Sequence, residues 1–183
     1  MTDRDQAPMM FSTADTAKRG NINKHAAYAE AHARMKAALE AGFYFEVITI
    51  AESIIADRLI SYLARPGGPG RIEKYTKKSG EEEWPGFYAL IKAWELEFKD
   101  GIEVRSSAVR ERAGGNLVEA VNSWREARNA AIHAIAKSDP GEAPEKPITS
   151  FVEDAMRTAE LGRLLASEVD NWHRRMKRGA EKK

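Results

Sequence analysis

Apolar residues recur at helical spacing along almost the whole chain, and no stretch alternates with period two for long enough to make a core sheet. A first helix is expected after Asn23, a candidate N-cap, running through the Ala-rich HAAYAEAHARMKAALEA to Gly42. A second covers FYFEVITIAESIIADRLISYLA and stops at Pro66-Gly67-Gly68-Pro69-Gly70. A polar linker containing KKSGEEE leads to Trp84-Pro85 and a third helix over Gly86 to Lys99, with Glu81-Glu82-Glu83 as a charge cluster at its N-terminal end. The segment IEVRSSAVRERAGG offers a weaker, short helix. A further helix opens at Asn116, where Asn116 and Glu119 have capping-box spacing, and continues to about Lys137. Asp139 to Pro147 is a break, and Ser150 to Glu153 repeats the capping spacing before a long last helix toward Arg178. The expected fold is all-α, an antiparallel bundle of four or five helices over residues 23–178. Residues 1–22 read as a flexible arm without the apolar core of a signal peptide, and residues 179–183 as a basic tail.

Two charged residues sit on the wrong side of this pattern. Ile48, Ala51, Ile55, Leu59 and Tyr62 form one stripe of the second helix at ~100° per residue, and Glu52 projects inside it. Leu117, Val121, Trp124, Ala131 and Ile135 form the stripe of the helix after Asn116, and Arg128 falls within that one. An unpaired buried charge is costly, so the two stripes are expected to face each other with Glu52 and Arg128 paired. Such a pair has two readings, a register-fixing ion pair or part of a site. Asn122, Glu126, Asn129 and His133 make a polar strip beside Arg128. On a straight helix, Arg128 and His133 point ~140° apart, which a two-fold dimer overcomes by bringing two strips together.

The run Arg128-Asn129-Ala130-Ala131-Ile132-His133 resembles the R-x4-6-H signature of the HEPN superfamily of helical ribonuclease and nucleotide-binding domains. Upstream, Ala51 to Leu59 (AESIIADRL) is similar to the acidic-centred second-helix pattern of that superfamily, and the resemblance spans roughly Lys24 to Trp172. It implies a HEPN-like bundle, a homodimer and a metal-independent endoribonuclease without a cofactor, acting as a toxin or phage-defence effector. On this reading Arg128 and His133 are catalytic, Asn129 positions phosphate or His133, and Glu52 holds Arg128. Arg125, Arg65 and Arg71 are candidate RNA contacts, and an antitoxin or effector protein is a candidate partner. Ile135 stands where some toxin members carry a modifiable Tyr, which puts that mode of regulation in doubt. The competing expectations are a catalytically silent HEPN-like module that binds nucleotide, RNA or protein, and a plain helical dimerisation protein.

Composition narrows the setting. The chain has 183 residues, 43% hydrophobic and 31% charged, with net charge +1, and its mean hydropathy is −0.54. That length suits one domain, and no apolar run reaches the roughly 18–20 residues of a spanning helix. Absence of Cys removes disulfides, thiolate zinc and cysteine nucleophiles, and fits a reducing cytoplasm. The balance hides an asymmetry, for His173 to Lys183 carries +5 and the remainder −4. Arg65 to Arg71 (RPGGPGR) lacks the Gly-Lys-Ser/Thr ending of a P-loop and reads as an interhelix turn. His25, His32 and His173 form no metal-ligand pattern, and the four Trp residues read as core.

Overall fold

The computed structural model describes residues 13–65, 69, 72–136 and 147–180. Residues 66–68, 70 and 71 of the expected interhelix turn, residues 137 and 138, residues 139–146 of the expected break, residues 1–12 of the arm and residues 181–183 of the tail lie outside the described residues, as do the side chains of Asn23, His25 and Ile135. Among the described residues the chain is helical, in the order α1 (Thr13–Glu40), α2 (Tyr44–Leu63), α3 (Phe87–Glu97), α4 (Ser107–Ala113), α5 (Leu117–Ala136) and α6 (Ile148–Ala180). That is six helices rather than four or five, the short α4 arising from the weaker segment. None is long and apolar enough to cross a membrane.

The ends of the helices follow from local chemistry. Gly42, at φ +79, closes α1 with the Phe43 N–H donating to the Ala38 carbonyl and the Gly42 N–H to that of Leu39, a pairing that favours glycine. Asn116 Oδ1 accepts from the Val118 N–H at 3.1 Å and also from the Ile102 N–H at 3.4 Å, so the cap of α5 is tied to the preceding loop. Three boundaries differ from expectation. α1 begins at Thr13, well before Asn23, because the Ala, Lys and Arg residues of 14–19 favour helix strongly enough to carry Gly20. α6 begins at Ile148 because the Pro147 carbonyl, ahead of Ser150, accepts the first amides. It runs on through Gly179 and Ala180, which were expected in the tail.

The linker also holds a two-stranded antiparallel sheet, β1 (Tyr75–Thr76) and β2 (Glu82–Glu83), not expected from the periodicity. Gly80, at φ +85, makes its turn. Glu82 and Glu83 are therefore strand residues rather than a cluster at the start of α3. Lys77 Nζ is 2.8 Å from Glu83, and Tyr75 donates to the same carboxylate at 2.8 Å. This ribbon is exposed and lies outside the core.

The core is organised around α6, which packs most extensively on α2 and then on α5, and also meets α1 and α4. Both predicted stripes are buried, with Ile48, Ala51, Ile55, Leu59 and Tyr62 from α2 and Leu117, Val121, Trp124 and Ala131 from α5. Their facing differs from expectation. α2 and α5 share no extensive packing; both pack instead on α6, whose Ala155, Ala159, Gly162 and Ala166 are small and buried. A Cβ on Gly162 would come within 2.7 Å of the Trp124 indole, whose Nε1 donates to the Thr158 carbonyl at 2.8 Å. Trp94, Trp124 and Trp172 are core residues and Trp84 is half-buried.

Candidate functional site

α2 supplies the first side chain of the site. Glu52 follows Ala51 on the edge of the buried face, where side chains of the neighbouring helices reach it but solvent is only partly excluded. Its Oε2 accepts from Arg128 Nη2, an ion pair that joins α2 to α5 directly. The two side chains are 22% and 21% exposed, dry enough to strengthen the attraction and open enough for a ligand to reach. Arg128 Nη1 donates to Asn129 Oδ1 at 2.5 Å, while Arg128 Nε is buried with no acceptor among the described residues. Guanidinium carries five N–H donors in a rigid fork, so these two contacts orient it without exhausting it.

This pair forms one wall of an open cleft of about 390 Å³. Arg125, Arg128 and Asn129 line it from α5, Glu52 from α2, and Gly86, Phe87, Tyr88 and Ala89 from the first turn of α3. Arg125 is positioned by its neighbours, with Nε donating to Asn122 Oδ1 and Nη2 to Glu126 Oε1, each at 3.2 Å. Its guanidinium carbon lies 4.8 Å from the centre of the Tyr88 ring. Phe87, one residue earlier, packs edge-on against Trp124 with centroids 6.2 Å apart and anchors this end of α3 to the core. The cleft thus gathers two guanidinium groups, one carboxylate, an amide and an open aromatic ring. That set can hold a planar or tetrahedral oxyanion beside an aromatic ligand.

The structure gathers four of the sequence-derived residues, Glu52, Arg125, Arg128 and Asn129, in this cleft. It does not bring His133 there within one chain. His133 is exposed, one turn beyond Asn129, and Arg128 turns toward α2 instead. Arg65, at the end of α2, lies over the Tyr62 ring at 4.6 Å and is ~20 Å along the helix from Glu52, so it does not reach the cleft. Tyr88 was missed by sequence reasoning. Its signal is faint, an aromatic pair after Trp84-Pro85-Gly86 whose members diverge by ~100°, so that one anchors and the other stays outside.

A second polar cluster ties α1, α2 and α6 together. Buried Asp170 meets Arg174 Nη2 at 2.5 Å and Arg58 Nη2 at 2.6 Å, the latter an ion pair lacking hydrogen-bond alignment. Arg58 lies over the Tyr28 ring at 3.5 Å, and Tyr28 donates to Asp57, which also meets Lys24 at 3.0 Å. Burial, aided by the Arg58 charge, pushes His173 down to about 4. Burial likewise lowers His32, although Asp170 opposes it. Every strong charge here has an opposite within the cluster, which marks it as structural. Among the described residues, no group of three or more His, Asp or Glu side chains is placed to hold a metal. No family model matches this chain, and no curated protein or solved structure is significantly similar to it.

Proposed function

We propose that this chain is a metal-independent endoribonuclease of the HEPN type, working as a homodimer and serving as a toxin or phage-defence effector. The observation that carries the reading is Arg128, fixed between Glu52 and Asn129 in an open cleft, on the same helix as exposed His133. A helical bundle in which an acidic residue of the second helix grips the Arg of an R-x4-H run fits the resemblance.

The chemistry needs no metal-bound water, because RNA supplies its own nucleophile. The 2′-oxygen attacks the adjacent phosphorus while the bond from phosphorus to the 5′-oxygen breaks, leaving a 2′,3′-cyclic phosphate and a 5′-hydroxyl. One imidazole takes the proton from the 2′-hydroxyl and a second protonates the departing 5′-oxygen. Each chain has one His133, so a two-fold axis beside α5 supplies both. Arg128 then binds the phosphate and stabilises the extra negative charge of the pentavalent transition state. DNA, lacking the 2′-hydroxyl, is inert.

The test is purified protein incubated with single-stranded RNA in excess EDTA. Cleavage by wild type and none by His133→Ala supports the reading, since replacing an exposed side chain spares the fold. The second reading is a silent HEPN-like module that binds nucleotide, RNA or protein, and the place of His133 outside the lining of the Arg128 cleft within one chain favours it. Equal inactivity of both folded, dimeric proteins on varied RNAs would select it.

A further inference from the structure

We propose that Tyr88 and Arg125 form a stacking platform for a nucleobase, so that the cleft takes a nucleotide unit with its phosphate on Arg128 and its base on Tyr88. This rests on the reading of the cleft as an RNA site and adds the element that reads the base.

Tyr88 is 54% exposed, although large apolar rings gain by burial. It is held in that position by helix geometry, because its neighbour Phe87 packs against Trp124 and directs Tyr88 outward into the cleft wall. Two cations attend the ring, the Arg125 guanidinium at 4.8 Å and the Lys92 ammonium at 5.8 Å from its centre. Arg125 donates to Asn122 and Glu126 and is largely buried, while Lys92 Nζ sits 2.6 Å from Glu95. An aromatic face flanked by fixed guanidinium is the surface on which single-stranded bases stack. Arg125 and Arg128 are one helical turn apart on α5, ~4.5 Å along its axis. Tyr88 and Arg128 line the same cleft, so one occupant can meet the platform and the phosphate clamp together. Stacking on a ring face is open to every base, so the preference is for any stacked base over none.

The test measures equilibrium binding of two short deoxyoligonucleotides of equal length, one bearing bases and one abasic throughout. Neither can be cleaved by 2′-oxygen attack, so binding is read apart from catalysis. Wild type should bind the base-bearing strand more tightly by roughly 5- to 150-fold. Tyr88→Ala should lose that preference and leave abasic binding unchanged, while Tyr88→Phe should keep it. Thermal unfolding of the variants checks that exposed position 88 tolerates the change. Equal binding of both strands by wild type, no binding of either, or an equal loss on both strands in Tyr88→Ala would overturn the proposal. RNA left intact in EDTA alongside base-dependent binding removes the ribonuclease reading and leaves the platform standing. RNA cleavage with binding indifferent to position 88 removes the platform alone.

Discussion

The ion pair between Glu52 and Arg128 was legible in the sequence because each residue interrupts an apolar stripe, and a charge there must find its opposite. His133 shows where that logic stops. An exposed residue carries no packing constraint, so its spacing from Arg128 gives a direction on one helix and says nothing of a second copy. Tyr88 was not legible because the sequence does not tell which member of an aromatic pair is the anchor. Removing the Glu52 carboxylate should leave Arg128 half-buried without a counter-charge. Glu52→Ala is expected to lower stability by about 1–3 kcal/mol, and Glu52→Gln by less, since the amide oxygen still accepts a hydrogen bond. Denaturant unfolding measures this, with exposed Ser123→Ala as control. A loss no larger than the control's would mean the pair contributes nothing.

At the scale of elements, the stripes of α2 and α5 were read correctly as buried faces, but the partner they bury against was not. Apolar periodicity gives the direction of a face, and the choice of neighbour depends on which helix can be approached closely. α6 can, because Gly162 leaves room for the Trp124 indole. Glycine inside a helix normally costs about 1 kcal/mol relative to alanine. Here the sign should reverse: Gly162→Ala is expected to destabilise by about 1–3 kcal/mol through overpacking. Unchanged or increased stability would show that α5 shifts freely on α6. The hairpin before α3 escaped because two-residue strands fall below any periodicity, and only Gly80 and the Lys–Glu pairing mark it.

For the whole molecule, α6 joins the apolar core to the charged cluster that fastens α1 and α2, and this makes stability depend on pH. His173, held neutral by burial and by Arg58, is lowered from 6.5 to about 4, and His32 is lowered by burial in the same cluster. The unfolded chain therefore takes up protons first as pH falls. The stabilisation is fully present above pH 6.5 and is lost progressively down to about pH 4. Asp57 is desolvated too, yet its bonds from Tyr28 and Lys24 prevail and lower it, so its contribution fades below the histidine window. The midpoint of thermal unfolding should fall between pH 7 and 5, less steeply in His173→Gln, and a flat profile would refute this account of the cluster. Such a frame leaves α5 free to present Arg128 in its cleft and His133 on the exposed surface, as the proposed dimeric ribonuclease requires. The measurement that bears most directly on that arrangement is the end-group of RNA incubated in EDTA with wild type and with His133→Ala. Fragments ending in 2′,3′-cyclic phosphate from wild type, none from the variant and none at a 2′-deoxy position are the predicted result. Intact RNA with folded, dimeric wild type, or cleavage that survives loss of His133, would contradict it.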